Sequence, residues 1–185
     1  MTDSLITPAP GFDQPVAVLK HCHDRIRKQL ETLDRLQKHL QQEGHTVDAQ
    51  QAATAVLRYF NQAAQQHHAD EEEDLLPMLA QTATGDDAAI LSQMAPQILD
   101  EHQQMAGYWG SLEPQLQAVA QSNGSSLSAD EVQRFAELYA RHMEREEGTI
   151  APMAKRLFSA GQMKQLGDAM RNRRGIPEEP RHGNR

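Results

Sequence analysis

Apolar residues along this chain return every three or four positions and nowhere at every second one, the pattern of helices that pack by one face. Val16, Leu19, His23, Ile26, Leu30, Leu33 and Leu40 form one stripe, skipped once at Gln37, which predicts an amphipathic helix to about Gln42. Asp13 reads as its N-cap, with Pro15 inside the first turn. After the break at Glu43-Gly44-His45-Thr46, a second helix starts near Asp48 and carries Ala53, Val56, Phe60, Ala63, His67, Glu71, Leu75 and Met78 on one face. Pro77 removes a backbone donor late in that helix and is expected to bend it or end its regular part.

Thr82-Ala83-Thr84-Gly85-Asp86-Asp87 makes the next turn, and the third stripe runs through Leu91, Met94, Ile98, His102, Met105, Trp109, Leu112, Leu116 and Val119, with Pro96 and Pro114 inside it. Ser122-Asn123-Gly124-Ser125-Ser126 is the third turn. Ser128 is then expected to cap a fourth helix, with Glu131 completing a capping box. Its stripe is Val132, Phe135, Tyr139, His142, Glu146, Ile150, Met153 and Leu157. The pattern predicts an all-α chain: a flexible arm over 1–14, an up-down-up-down four-helix bundle over 15–158, a short extra C-terminal helix over 159–173, and a disordered Pro-, Gly- and Arg-rich tail over 174–185.

Composition narrows the partners. A formal charge of -8 argues against nucleic acid and against an anionic membrane surface. The single cysteine, Cys22, excludes an intramolecular disulfide and suits a reducing compartment. No apolar run approaches the ~20 residues of a membrane span, so a cytoplasmic location is expected.

The chemistry lies in a repeat. His67 is followed by Glu71, Glu72 and Pro77; His142 is followed at the same spacing by Glu146, Glu147 and Pro152. A His and an acid four residues apart share one helix face and can hold one ion between them. In an up-down bundle, residues on adjacent helices lie level when the turn falls midway between them. The midpoints of 23 and 67, of 67 and 102, and of 102 and 142 all fall inside the three turns. His23, His67, His102 and His142 should therefore form one layer, about 30 Å from those turns at ~1.5 Å per residue, with Glu71 and Glu146 beside it.

Two inward carboxylates would repel and would be costly to bury; one or two divalent metals remove both costs. Four imidazoles and two carboxylates suffice for two metals, each with two His ligands and both Glu bridging, and leave positions open for a small ligand. His68, Glu72 and Glu147 lie about 100° off the inner stripes; these three and Glu101 are expected to support the ligands from outside or to meet solvent. Cys22 reads as a packing residue, and Tyr59, Tyr108, Tyr139 and Trp109 as core residues or hydrogen-bond donors.

The paired His-x3-Glu-Glu-x4-Pro motifs, with Cys22-His23-Asp24-Arg25-Ile26 before them and Glu101-His102 on the third helix, resemble the bacterial hemerythrin-like (HHE cation-binding) domains over about residues 15 to 158. The resemblance implies a four-helix bundle holding a non-haem di-iron centre, with His23, His67, Glu71, His102, His142 and Glu146 as ligands. Manganese or zinc would suit the same donors. The oxygen-carrying hemerythrins place a second His one turn after the third-helix His, where this chain has Ala106. The function expected is binding or sensing of a small redox ligand such as oxygen, nitric oxide or peroxide. The alternatives are an enzyme consuming peroxide or nitric oxide, and an iron-handling bundle.

Overall fold

Four long helices and a short fifth make up the computed structural model of the chain, which describes residues 9–124 and 126–177. They are α1 (Pro15–Gln42), α2 (residues 47–82), α3 (Gly85–Ala120), α4 (residues 129–157) and α5 (Ala160–Arg173). There is no strand among the described residues. Each long helix packs on its neighbours in sequence and α4 returns to α1, which closes an all-α four-helix bundle with an extra C-terminal helix. The first eight residues of the expected arm and residues 178–185 of the expected tail lie outside the described residues.

Local signals set the helix ends. Pro15 opens α1 at a position whose N–H has no helical partner, but the N-cap is Gln14, without a side-chain bond, rather than Asp13. The Thr46 side chain accepts the Ala49 N–H and starts α2. Ser128 caps α4 by accepting from the Glu131 N–H, but the expected capping box does not close. Glu131 instead turns its carboxylate across to Ser111 and Gln115 of α3. The complete box forms one connection later, between Ser159 and Gln162 at the start of α5.

α2 and α4 are not regular throughout. α2 contains π-helical turns at Tyr59–Ala63 and Asp70–Leu75, and α4 contains one at Glu146–Ile150. Such turns act as one-residue insertions and change which side chains face inward downstream. Around the first, Phe60 and Ala64 are buried and Ala63 is half-buried. Pro77 and Pro152 each follow a π turn by two residues. Neither ends its helix: the missing donor is accommodated by the widened turn just before it. α3 passes through Pro96 and Pro114 unbroken, because both prolines are exposed and the carbonyls they free can meet water.

The apolar interior comes in two parts. One cluster includes Ile26, Ala64, Met105 and Met143; the other includes Leu19, Leu75, Ile98 and Ile150 and extends to Leu166 and Met170 of α5. Each of the four long helices therefore crosses from one cluster to the other, and the residues at the crossing form a layer of their own. No helix of the described residues is long and apolar enough to cross a membrane.

Candidate metal centre

The layer between the two clusters is polar. His23 of α1, His67 and Glu71 of α2, His102 of α3, and His142 and Glu146 of α4 are all buried there. The structure thus brings together all six residues singled out as candidate ligands. Their nitrogens and carboxylate oxygens converge. His23 Nε2 lies 3.1 Å from Glu146, His67 Nε2 3.1 Å from Glu71, His102 Nε2 3.3 Å from Glu71, and His142 Nε2 3.5 Å from Glu146. Two overlapping donor sets result: His23, His67, Glu71 and Glu146, and Glu71, His102, His142 and Glu146. Within each, the donor atoms lie within 4.8 Å of one another.

Three of the four imidazoles are oriented from outside. His23 Nδ1 donates to Glu147 at 3.0 Å, His102 Nδ1 to Glu72 at 2.6 Å, and His142 Nδ1 to Glu101 at 3.0 Å. A carboxylate on Nδ1–H fixes the tautomer and turns the Nε2 lone pair toward the centre, the usual support of metal-binding histidines. Arg27 holds Glu147 at 2.8 Å and Arg145 holds Glu101 at 3.2 Å, which locks the orienting carboxylates in turn. Glu72, Glu147 and Glu101 therefore fill the supporting role that was one of two readings of their position. Glu72 and Glu147 stand one residue past Glu71 and Glu146, so each His-x3-Glu-Glu motif supplies one inward acid and one orienting acid.

The centre leaves polar atoms without partners. Both ring nitrogens of His67, Glu71 Oε2 and Glu146 Oε1 are buried and have no hydrogen bond. Buried polar atoms are rarely left so, and one nitrogen of His67 belongs with both carboxylates to a donor set whose atoms lie within 4.8 Å of one another. Imidazole and carboxylate donors of this kind suit a divalent first-row metal, so the residues fit a bound cation.

The electrostatics agree. Burial alone would depress the His23 imidazole, but its bonds to Glu146 and Glu71 more than reverse this and raise it to about 10. Burial pulls His67 down to about 3 against the attraction of Glu71. Burial and the neighbouring Glu71 push Glu146 up, while Glu71, although buried, is held well below the usual carboxylate range by His67, His102 and His23. A metal-free centre must carry protons to keep its acids compatible, and those are the charges a metal would replace.

His68 takes the first of the two readings of its position, support from outside the ligands, and is buried against the centre. Its donor atoms come within 4.8 Å of those of His102 and His142. Its ring, however, stacks on His102 at 4.0 Å with 12° between the planes. Two imidazoles that share an ion must point their ring planes at it, which a parallel stack does not allow. His68 shields the face of His102 and lies 3.4 Å from the Tyr139 hydroxyl. Cys22 packs against the cluster that contains Leu19 and Leu75, and burial pushes its thiol up to about 11, so it is an inert packing residue.

Two cavities adjoin the layer. One of about 20 Å³ lies against His23, Glu71 and Glu146 and is lined also by Leu19, Lys20, Leu75, Glu147 and Ile150. The other, of about 500 Å³, reaches His68 and His102 and is walled by Phe60, Ala106, Trp109 and Tyr139.

A helical bundle with His and carboxylate side chains from all four helices buried in one layer defines a cation-binding protein of the four-helix type. The family model for the Hemerythrin HHE cation binding domain matches residues 14–154, and the chain belongs to that family. It is also similar to an uncharacterized protein of Haemophilus influenzae, with 27% identity over 167 residues that cover 90% of this chain and 94% of the relative.

Proposed function

We propose that this protein holds two iron ions in its polar layer and uses them to bind or sense a small redox-active ligand such as oxygen, nitric oxide or peroxide. His23 and His67 would serve one ion and His102 and His142 the other, with Glu71 and Glu146 shared between them. The observation that carries this reading is the set of unpartnered buried atoms on His67, Glu71 and Glu146: a cation between these residues would take the carboxylate oxygens and one of the two His67 nitrogens. Iron held there would supply reversible one-electron chemistry and an open coordination position.

The protein's own residues do the rest. Glu147, Glu72 and Glu101 keep three Nε2 lone pairs aimed inward. The apolar clusters above and below exclude water and strengthen every charge interaction in the layer. The cavity of about 20 Å³ beside the carboxylates has room for about one water-sized molecule, which favours a diatomic or peroxide over a larger ligand.

The enzymatic alternative, turnover of peroxide or nitric oxide, draws support from the larger cavity. It leads from the surface to His68 and His102, with the Tyr139 hydroxyl in its wall as a hydrogen-bond donor. Elemental analysis, with absorption spectra recorded before and after exposure to air, tests the main reading. About two irons per chain and new bands on oxidation are expected, and protein from iron-replete cells without bound metal overturns it. Steady-state consumption of peroxide or nitric oxide separates the enzyme from the sensor.

A further inference from the structure

The matched family segment ends at residue 154, but the chain continues into α5, whose end returns to the metal layer. Arg174, at the C-cap of α5, grips the Asp70 carboxylate with both terminal nitrogens, Nη1 to Oδ1 at 3.0 Å and Nη2 to Oδ2 at 2.6 Å. Arg173 adds a third donor to Asp70 at 2.5 Å, and its other arm reaches Glu73 at 2.9 Å and Asp74 at 2.6 Å. Asp70 is completely buried. A buried carboxylate is tolerated only with such partners, and a two-pronged guanidinium pair fixes direction as well as charge.

Asp70 is also the first residue of the π turn Asp70–Leu75, and the next residue is Glu71. Successive side chains on a helix project about 100° apart. Anchoring Asp70 on the α5 side therefore sets Glu71 toward the bundle axis and leaves Glu72 to meet His102. π turns are rare and hold only where their surroundings favour them. The second motif has a parallel: Arg145, which precedes Glu146, is itself paired to Glu101. There the partner comes from within the bundle; at Asp70 it comes from the added helix.

We propose that Arg173 and Arg174 are positioning residues for Glu71: their ion pairs to Asp70 fix the π turn that aims this acid into the metal layer. The capacity of the bundle to hold metal then depends on its C-terminal helix. The inference rests on the reading of Glu71 as a ligand.

The test uses the full chain, loaded anaerobically with ferrous iron, as wild type, R174Q, R173Q/R174Q and R174K. Leu166 and Met170 remain to dock α5 in every variant, and the single variants cover the case in which the double one fails to fold. The expected result is a loss of iron affinity of about 10- to 100-fold for R174Q, the usual scale for removing support from a metal ligand, and an altered absorption spectrum at full loading. R174K should recover part of both. A variant that melts earlier when metal-free yet binds iron with wild-type affinity and spectrum overturns the proposal and leaves α5 a structural brace. Wild-type protein that takes up no iron removes the metal reading and this inference together, whereas normal loading of both wild type and variants removes this inference alone.

Discussion

His102 Nε2 and His142 Nε2 lie 3.1 Å apart, and the opposite nitrogen of each ring is tied to a carboxylate, Glu72 and Glu101 respectively. With both Nδ1–H groups so engaged, two lone pairs face each other across a dry layer. They are stable at that separation only with a positive charge between them or beside them. A proton can serve, and so can a metal ion. Much of the behaviour expected of this protein follows from which of the two is present.

Removing metal should lower stability near neutral pH. A ligand present at about 100 times its Kd contributes about 2.7 kcal/mol, and a chain of this size gains roughly 2–4 °C in Tm per kcal/mol. Calorimetry at pH 7 before and after chelation should therefore show a drop of roughly 5–10 °C. A midpoint that chelation leaves in place would count against the inward-facing acids.

The metal-free form should lose stability as pH rises above neutral. His23 titrates near 6.5 in the unfolded chain and near 10 in the folded one, so between these values the folded state holds a proton that the unfolded state lacks. Its contribution is complete below pH 6.5 and is lost as pH climbs toward 10, at up to about 1.4 kcal/mol per pH unit. His102 is also raised and adds in the same direction. Cys22 joins only above its ordinary value of 9.0. Tm of the metal-free protein should fall from pH 7 to 9, while the iron-loaded protein, whose His23 has exchanged its proton for metal, stays level. A flat or rising metal-free curve contradicts the assignment.

Adjacent acids on α4 should separate by function. Glu146→Gln removes an acid common to both donor sets and should cost at least one iron per chain at saturation. Glu147→Gln leaves the donors in place but weakens the hold on His23 Nδ1, so stoichiometry should survive while affinity falls about 10- to 100-fold. Metal titrations of both variants decide the point. If Glu147→Gln is the one that empties the site, the ligand assignment on α4 moves by one residue.

His68 offers a test by shape. His68→Phe keeps a flat ring against His102 and removes every donor nitrogen, so iron content should remain that of the wild type. Loss of an iron in this variant would make His68 a ligand and show that the stack seen at 4.0 Å turns when metal binds.

The level at which the histidines meet was legible because a bundle with short turns fixes height by counting: His23, His67, His102 and His142 needed only their numbers and three turns. Glu71 and Glu146 were legible because His-x3-Glu keeps one face over a single helical turn, a span too short for a π turn to spoil. Glu72 and Glu147 were placed by angle but not assigned a partner, since orientation about a helix does not say which neighbouring imidazole lies beside it. The π turns left no mark in the sequence beyond Pro77 and Pro152. The hold of Arg174 on Asp70 could not be read at all. It joins residues 104 positions apart, and nothing local distinguishes Asp70 from Glu73 and Asp74 beside it.

The two cavities make the halves of the layer unequal in time as well as in shape. On the His23 side the space is only about 20 Å³, and beside Leu19, Leu75 and Ile150 it is lined by Lys20 and Glu147, so passage there is narrow and runs past charged side chains. On the His102 side about 500 Å³ opens toward the surface, and only the rings of His68 and His102 stand in the way. Exchange with solution should therefore run on two clocks. A chelator in excess should strip metal in two phases, the faster from the His102 side with its wider opening.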